Sequence, residues 1–304
     1  MDKEQVFQLV GKARRAFPEW KKDYEKRRSY IYHLVEYLKK NKMEMAKIET
    51  SEMGKTIKES IGEVEKCAWA LEFYADHGDS FLADEVLNTD ARKSFLTFEP
   101  LGVIGSIMPW NFPYWQALRF AAPCLMAGNV IVMKPSRVTM QSGIEIEKAF
   151  TESGIPDGIF QTVIGSVESA NHLIDSDVNA VTFTGSTDAG AKVGQRAAMN
   201  LKKCVLELGG SDPFIVLDDA IIEKAAEGAV KGRFINCGQS CVASKRFFVG
   251  KNIAKDFIEL FIKKASQLKV GDPTLIETDI GPLSSKSCLE TISGIVEDAR
   301  KNGA

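Results

Sequence analysis

Histidine is scarce in this chain, and its cysteines form no metal-binding pattern. The chain has three histidines and six cysteines among 304 residues, and only Cys237 and Cys241 lie close together in sequence. A zinc site needs two such pairs or nearby histidines, so no metal site is predicted. The scattered cysteines indicate reduced thiols rather than a disulfide framework.

An excess of charge is also lacking. The 39 basic and 41 acidic residues leave a net charge of -2, which gives no electrostatic footprint for nucleic acid or an anionic membrane. No apolar run reaches the roughly 18 residues that span a bilayer, and no signal-peptide core follows Met1. We therefore expect a cytoplasmic protein. Its composition, 44% hydrophobic and 26% charged, is typical of a soluble enzyme of one large or two smaller domains.

The first third of the chain reads as helical. Apolar residues recur at spacings of three and four, which predicts helices over residues 5–17, 22–50 and 55–74. Residues 82–100 change to short extended segments and predict a hairpin outside the helical layer. Such a hairpin is either an ordinary surface feature or a site of pairing with another subunit.

After Pro100 the pattern becomes α/β. Apolar segments bounded by turn residues alternate with helix-length segments, which indicates a parallel sheet covered on both faces. Strands are predicted over residues 103–108, 130–133, 160–164, 180–184, 204–208 and 214–217. Helices are predicted over residues 116–126, 141–153, 189–199 and 221–234. Ligands bind beyond the carboxyl ends of such strands, so the turns there are the candidate sites.

Two of these turns carry an amide and cations. Pro109-Trp-Asn-Phe-Pro113 holds Asn111 between stiffening prolines, and its amide could donate to an oxyanion. Lys134-Pro-Ser-Arg137 sets two cations and a hydroxyl after a strand, which suits ribose hydroxyls and phosphate.

Two more turns carry glycines. Gly185-Ser186 leads from a strand into a helix whose N-terminus could receive a diphosphate, although no G-x-G-x-x-G motif is present. Glu207, in Leu206-Glu-Leu-Gly-Gly210, stands between leucines. Apolar surroundings would raise its pKa and suit it to act as a general base.

Cys241 follows Gly238-Gln-Ser240, which breaks the preceding helical pattern. A thiol beyond such a break can lie at the N-terminal end of the next element, where a helix dipole favours the thiolate. Alternatively, Cys241 is a small buried hydrophobic residue, as most free cysteines are.

Five of these motifs, taken together, carry a family resemblance: Pro109 to Pro113, Lys134-Pro-Ser136, Phe183-Thr-Gly-Ser186, Leu206 to Gly210 and Gly238 to Cys241. They resemble the motifs of the NAD(P)-dependent aldehyde dehydrogenase superfamily. The order and spacing of these motifs match over nearly the whole chain. Residues 113–123 and 126–129 look most like the NADP-preferring succinate-semialdehyde dehydrogenase branch.

The resemblance implies a role for each motif. Cys241 would attack the aldehyde carbonyl, Asn111 and the Cys241 N–H would hold the oxyanion, and Glu207 would activate the water that hydrolyses the thioester. Lys134 would bind the cofactor ribose and Gly185-Ser186 its phosphates. The other implied cofactor residues are Ile107, Pro109, Trp110, Ser136 and Gly165.

Two further residues bear on specificity. Many NAD-using members have a glutamate where this chain has Arg137, and an arginine suits the 2′-phosphate of NADP. NADP is therefore expected over NAD. Arg119 matches an arginine that can hold the distal carboxylate of a semialdehyde, or it is simply a surface helix residue.

The resemblance also predicts the organisation of the chain. It implies a Rossmann-like cofactor domain over residues 1–209 that includes an oligomerisation hairpin at 82–100. Residues 210–304 would form the first part of an α/β catalytic domain, because family members continue for roughly another third of their length. The full-length form is expected to be a homodimer or homotetramer. Alternatives are a lactaldehyde, glyceraldehyde or acylating semialdehyde dehydrogenase, or an inactive nucleotide-binding fragment.

Overall fold

The chain folds into two compact units. The structure, a computed structural model, describes residues 1–303. The first unit comprises Met1–Ala46 and Ile61–Leu208, and the second comprises Lys47–Ser60 and the residues from Gly209 onward. The sequence prediction did not include residues 47–60 in the second unit. Ala304, the last residue of the predicted catalytic domain, lies outside the described residues.

Long helices open the first unit. Helix α1 spans Lys3–Trp20, α2 spans Tyr24–Met53 and α3 spans Ile57–Phe81, with α2 ending and α3 beginning in the second unit. Asp2 and Gln5 start α1 with a capping box, in which each side chain accepts a hydrogen bond from the other residue's backbone N–H at 2.9 Å. A short antiparallel hairpin follows, made of β1 (Glu85–Val86) and β2 (Phe95–Leu96). This pairing confirms the predicted hairpin.

A five-stranded sheet forms the centre of the first unit. Its strands are β3 (Val103–Ile107), β4 (Val130–Lys134), β5 (Phe160–Thr162), β6 (Ala180–Thr184) and β7 (Lys203–Glu207). They pair in parallel in the order β5-β4-β3-β6-β7. Every residue of β3 and β4 is buried, as expected of a sheet with both faces covered. The predicted parallel α/β fold is confirmed.

Four helices connect these strands. They are α4 (Pro113–Met126), α5 (Met140–Glu152), α6 (Val167–Asp175) and α7 (Thr187–Met199). One apolar core joins the sheet to α1, α2 and α3. The sequence did not predict α6, because its nine residues carry only about two turns of the helical pattern.

The second unit is smaller and more open. It contains β8 (Asp212–Val216), α8 (Ile222–Phe234), β9 (Ser244–Val249), α9 (Ala254–Ala265) and α10 (Lys286–Lys301). Strands β8 and β9 pair in parallel, with an irregularity between Asp212 and Pro213. A small core of Val216, Ala226, Ala229 and Phe257 lies beneath partly buried phenylalanines. Within residues 1–303, no helix combines the length and apolar character needed to cross a bilayer.

Candidate active site

The carboxyl ends of the parallel strands bring several predicted residues together in the first unit. Ile107, at the end of β3, pairs in register with Lys134 of β4 on one side and with Phe183 of β6 on the other. The Met108 N–H donates to the Lys134 carbonyl at 3.0 Å. This edge is where an open α/β sheet binds its ligand.

A groove of about 460 Å³ opens at this edge. Ile107 and Lys134 both line it, as does Phe183. The walls come from α6 and α7, through Val167, Ala170, Asn171, Ile174, Ala189, Lys192, Val193, Gln195, Arg196 and Met199. The sequence did not predict α6, and it predicted the helix over residues 189–199 without assigning it any site residue. A usable signal was Ser166, which caps α6 by accepting the Glu168 N–H at 3.2 Å.

Lys134 is the buried cation of the groove. The residue is 5% exposed, and burial lowers the pKa of its ammonium group, with a smaller contribution from the positive charge of Arg137. A buried ammonium favours an anionic ligand, because binding offsets the lost hydration. Lys134 therefore suits a hydroxyl-rich or phosphate-bearing ligand.

The turn from β6 to α7 is built for close backbone approach. The Gly185 N–H donates to the Glu207 carbonyl at 3.0 Å. A Cβ at Gly185 would lie 2.5 Å from the Phe183 ring, so a larger residue would displace that ring. Ser186 caps α7 by accepting the Ala189 N–H at 3.4 Å. The start of α7 is exposed, which leaves its first N–H groups accessible to an anion.

Ser136, Arg137 and Gly165 are not among the residues that line the groove. Ser136 accepts the Val138 N–H at 3.3 Å and begins the single 3-10 turn Arg137–Thr139. Arg137 is exposed and lies two positions after the buried Pro135. Gly165 lies in the connection between β5 and α6 and is partly buried. Their cofactor roles stay predictions.

Asn111 lies in the short turn between β3 and α4, next to Trp110, and both are half-buried. Pro113 is the first residue of α4, where its missing N–H costs nothing. The turn is held by a residue that the sequence did not indicate: Glu63, on α3, accepts the N–H groups of Tyr114 at 3.0 Å and Trp115 at 2.8 Å. A buried carboxylate at this position satisfies unpaired donors at the positive end of the helix dipole.

Arg119 lies one turn further along α4 and is half-buried. One of its guanidinium nitrogens donates to Gln116 Oε1 at 2.9 Å. Its Nε is buried and makes no hydrogen bond among the described residues. An arginine in this state can receive an anionic ligand group.

Glu207 differs from its prediction. It ends β7, the edge strand of the sheet, and its side chain is exposed together with those of Val205 and Leu206. The expectation of apolar surroundings was wrong, because flanking leucines shield a carboxylate only where a further element covers the strand. Glu207 stays a candidate base by its position in the chain.

In the second unit, Cys241 is half-buried in the turn that leads to β9. A strand follows it, so the expected helix dipole at the thiol is absent. The turn is instead closed by the Ala243 N–H, which donates to the Ser240 carbonyl at 3.2 Å. Lys245 donates to the Cys241 carbonyl at 2.6 Å. In the described part of the chain, no group of three or more metal-ligating side chains could hold a metal ion.

Comparison with known proteins decides the family. The model of the aldehyde dehydrogenase family matches residues 1–304. The chain belongs to this family. The motifs that carried the resemblance thus lie within a family match that covers the whole chain.

The names of two similar proteins give a more specific activity than the family name does. A probable succinate-semialdehyde dehydrogenase [NADP(+)] from Synechocystis is 46% identical over 92% of this chain and 62% of its own length. Succinate-semialdehyde dehydrogenase [NADP(+)] 1 from Mycobacterium bovis is 40% identical over 99% of this chain and 67% of its own length. The chain therefore spans about two thirds of these relatives.

Two solved structures superpose closely on this chain. Succinic semialdehyde dehydrogenase from Streptococcus pyogenes in complex with NADP+ has a TM-score of 0.94 at 34% identity, over 97% of this chain and 66% of that one. The Escherichia coli NADP-dependent enzyme has a TM-score of 0.96 at 31% identity, over 100% of this chain and 64% of that one.

Proposed function

We propose that this protein oxidises a small semialdehyde, with succinate semialdehyde as the leading candidate, to the carboxylate using NADP+. The observation that carries the proposal is the groove at the carboxyl ends of β3, β4 and β6, lined by the buried Lys134. The succinate-semialdehyde dehydrogenases named above support the substrate class.

The residues of the first unit fit a dinucleotide. Apolar walls from α6 and α7 suit an adenine ring, Lys134 suits the ribose, and the exposed start of α7 at Ser186 suits a diphosphate. Ile107, Pro109, Trp110 and Gly165 are proposed to complete the cleft. When bound, the cofactor accepts the hydride that leaves the substrate carbon.

The protein's own groups carry out the remaining chemistry. The Cys241 thiolate attacks the aldehyde carbon, and the Asn111 amide and the Cys241 N–H stabilise the oxyanion of the thiohemiacetal. Loss of hydride leaves a thioester on Cys241. Glu207 takes a proton from the water that attacks this thioester, and the carboxylate product leaves with the thiol restored.

Two observations support this assignment. Cys241 is half-buried rather than sealed in a core, so a substrate can reach it. In the second unit, a Cβ at Gly210 would lie 3.9 Å from the Cys241 carbonyl oxygen. Gly210 ends the Leu206–Gly210 motif, so this end of the motif lies close to the Cys241 backbone within the second unit. The glutamate also favours hydrolysis over acyl transfer.

The proposed preference for NADP depends on Arg137, aided by Ser136. An exposed guanidinium beside a serine hydroxyl suits the 2′-phosphate of the adenosine ribose. Arg137→Glu should raise the KM for NADP at least about tenfold while leaving that for NAD within about threefold. Equal changes for both cofactors would remove Arg137 from the discrimination.

Arg119 is the proposed carboxylate clamp. Because its buried Nε makes no hydrogen bond among residues 1–303, the guanidinium can pair with the distal carboxylate of a semialdehyde. Arg119→Ala should raise the KM for succinate semialdehyde about tenfold or more and that for propanal less than about twofold. A similar rise for both aldehydes would contradict the clamp.

The proposed function is tested by assaying a panel of aldehydes with both nicotinamide cofactors. NADPH should form steadily with succinate semialdehyde, and Cys241→Ser should abolish this activity. Cys288→Ser is the control, because it removes another half-buried thiol, on α10, and it should leave NADPH formation unchanged. Turnover that persists in Cys241→Ser would disprove the thiol mechanism.

A second candidate is nucleotide binding without turnover by this chain alone. It is favoured by the second unit, where Ile215, Phe248 and Ile295 are exposed, so that this unit lacks a closed core. NADP binding without NADPH formation from any aldehyde of the panel would support it.

The β1–β2 hairpin is the proposed pairing surface of a homodimer or homotetramer. Its apolar side chains Val86, Phe95 and Leu96 are exposed, and apolar edge strands favour pairing with another copy. Sedimentation of the chain, with Val86→Lys as the disrupting variant, would test this.

A further inference from the structure

The turn that precedes Cys241 has an unusual backbone. Asn236, Cys237 and Gly238 follow one another with φ values of 52°, 54° and 77°. Glycine adopts this left-handed region readily, asparagine does so less often and cysteine rarely. Three such residues in succession persist only where surrounding contacts hold them, and strained backbone of this kind gathers at functional sites.

The contacts that hold this turn converge on Asn236. The residue is 0% exposed, and its N–H donates to the Glu59 carboxylate at 2.9 Å. Its carbonyl accepts the Gln239 N–H at 2.9 Å and the Gln239 side-chain amide at 3.2 Å. The Gln239 side-chain oxygen accepts the Ser284 N–H at 3.0 Å. The turn is therefore tied at each end by hydrogen bonds within the second unit.

The Arg233 guanidinium donates to the Gly238 carbonyl at 3.5 Å, and the carboxylate in contact with the turn is that of Glu59. It is half-buried on α3, and the Thr56 hydroxyl donates to it at 3.4 Å. The neighbouring cations have other partners, since Lys55 pairs with Glu49 at 2.5 Å and Lys58 with Asp279 at 2.8 Å. Burial raises the pKa of the Glu59 carboxyl, an effect that the Asn236 N–H partly offsets.

Cys237 itself is a poor candidate for the reactive thiol that the strained turn would position. Burial raises the pKa of its thiol, and the nearby Glu59 adds to that rise, so its thiolate is disfavoured. The thiol that benefits from a fixed turn is Cys241, four positions on.

We propose that Glu59 is a positioning residue for the nucleophile. Its carboxylate holds the Asn236 N–H and thereby fixes the left-handed turn that aims the Cys241 thiol at an acyl carbon. This inference depends on the proposed role of Cys241 as nucleophile. It assigns a function to a carboxylate that lies 177 positions from its backbone partner.

The test is the acylation of Cys241 by p-nitrophenyl acetate, which needs no cofactor. The thiolate attacks the ester carbonyl, p-nitrophenolate leaves, and an acetyl thioester forms on Cys241. Glu59→Ala should slow this acylation about tenfold, because a misplaced nucleophile loses rate steeply. Glu59→Gln should stay within about threefold of the wild type, because an amide oxygen can accept the same N–H.

Lys58→Gln is the matched control, because it removes a neighbouring ion pair but no contact to the turn, and it should react at the wild-type rate. Deuterium exchange of the peptide covering residues 235–243 measures how firmly the turn is held, independently of the acylation rate. Its exchange should speed up about tenfold in Glu59→Ala and remain unchanged in Lys58→Gln and Glu59→Gln. If Glu59→Ala does not fold, Glu59→Asp replaces it with the same expected losses, because the shorter side chain cannot reach Asn236.

The outcomes separate the two ideas. Absence of acetyl on wild-type Cys241 would overturn its proposed role as nucleophile, and with it the positioning role of Glu59, whatever the exchange data show. Acylation of wild-type Cys241 with wild-type rates in the Ala or Asp variant would overturn the role of Glu59 alone. An equal loss in the Gln and Ala variants would also contradict the hydrogen-bond argument.

Discussion

The two units of the chain close their cores differently. In the first unit, β3 and β4 are buried at every residue and a single apolar core extends from the sheet to α1, α2 and α3. In the second unit, β8 and β9 leave Ile215 and Phe248 exposed, and α10 buries no residue. The comparison teaches that the groove lined by Lys134 belongs to a unit with a closed apolar core, whereas the turn of residues 236–240 depends on local hydrogen bonds for its shape.

The largest expected effect is the loss of stability when a core side chain of the first unit is shortened, and it tests the contrast between the two units directly. Leu118 is 1% exposed in the core of the first unit. Leu118→Ala should lower the free energy of unfolding by about 3 kcal/mol. Ile215, 65% exposed on β8, should cost less than about 0.5 kcal/mol in the same substitution. Urea denaturation of both variants measures the difference, and equal costs would remove the contrast.

Two carboxylates that accept backbone N–H groups, the buried Glu63 and the half-buried Glu59, sharpen the comparison. Glu63 accepts two N–H groups at the start of α4, whereas Glu59 accepts one at the nucleophile turn. Glu63→Ala should therefore destabilise the protein by about 2 kcal/mol, because two backbone donors, one of them buried, and the positive end of a helix dipole lose their partner. Glu63→Gln, which keeps an acceptor, should cost about half as much in the same urea experiment. A Glu63→Ala variant as stable as the wild type would show that this anchor is dispensable.

Lys134 tests whether the groove of the first unit sacrifices stability for binding. Burial lowers the pKa of its ammonium group from the ordinary 10.5. The cost of burying the charge is complete below the folded pKa and disappears as the pH rises towards 10.5. Lys134→Met should therefore be about 1 kcal/mol more stable than the wild type at pH 7, with the gain shrinking at higher pH, and it should lose NADP binding. Thermal unfolding at several pH values measures the gain, and a less stable variant would contradict the argument.

The smallest effect concerns the wall of the groove. Arg196 forms a two-point ion pair with Asp175, at 2.8 Å and 2.5 Å, and the hydrogen bonds from Arg196 lower the pKa of the Asp175 carboxyl. Because both side chains are about one-third exposed, Asp175→Asn should cost only about 0.5 kcal/mol. That contribution should be present above the ordinary pKa of 3.8 and vanish as the pH falls through the lowered value. The measurement is the free energy of unfolding of Asp175→Asn and of the wild type at several acidic pH values. If the two proteins lose stability identically as the pH falls, the ion pair contributes nothing.

Sequence reasoning reached the fold more fully than the site. Apolar segments such as Val130–Lys134 alternate with helical ones, so the parallel sheet could be predicted, and the turns after its strands led to Lys134 and Ile107 in one groove. The helix dipole at Cys241 was a wrong expectation, because nothing local distinguishes a turn that leads to a strand from one that leads to a helix. Glu207 was expected among apolar side chains, but an edge strand exposes it.

The two anchoring carboxylates could not have been predicted. Glu59 lies in the first turn of α3 and Glu63 one turn further along it, and their backbone partners lie 177 and 51 positions away. Only the tertiary fold brings a backbone N–H to each of them. The same limit applies to the groove walls, which two helices form jointly.

The most direct test is a calorimetric titration of the 304-residue chain with NADP and NAD in the absence of aldehyde. The account predicts that NADP binds at least about tenfold more tightly than NAD, a difference of about 1.4 kcal/mol, and that Lys134→Met abolishes binding. Equal affinities for the two cofactors, or undiminished binding by Lys134→Met, would contradict the claim that the groove of the first unit is an NADP site.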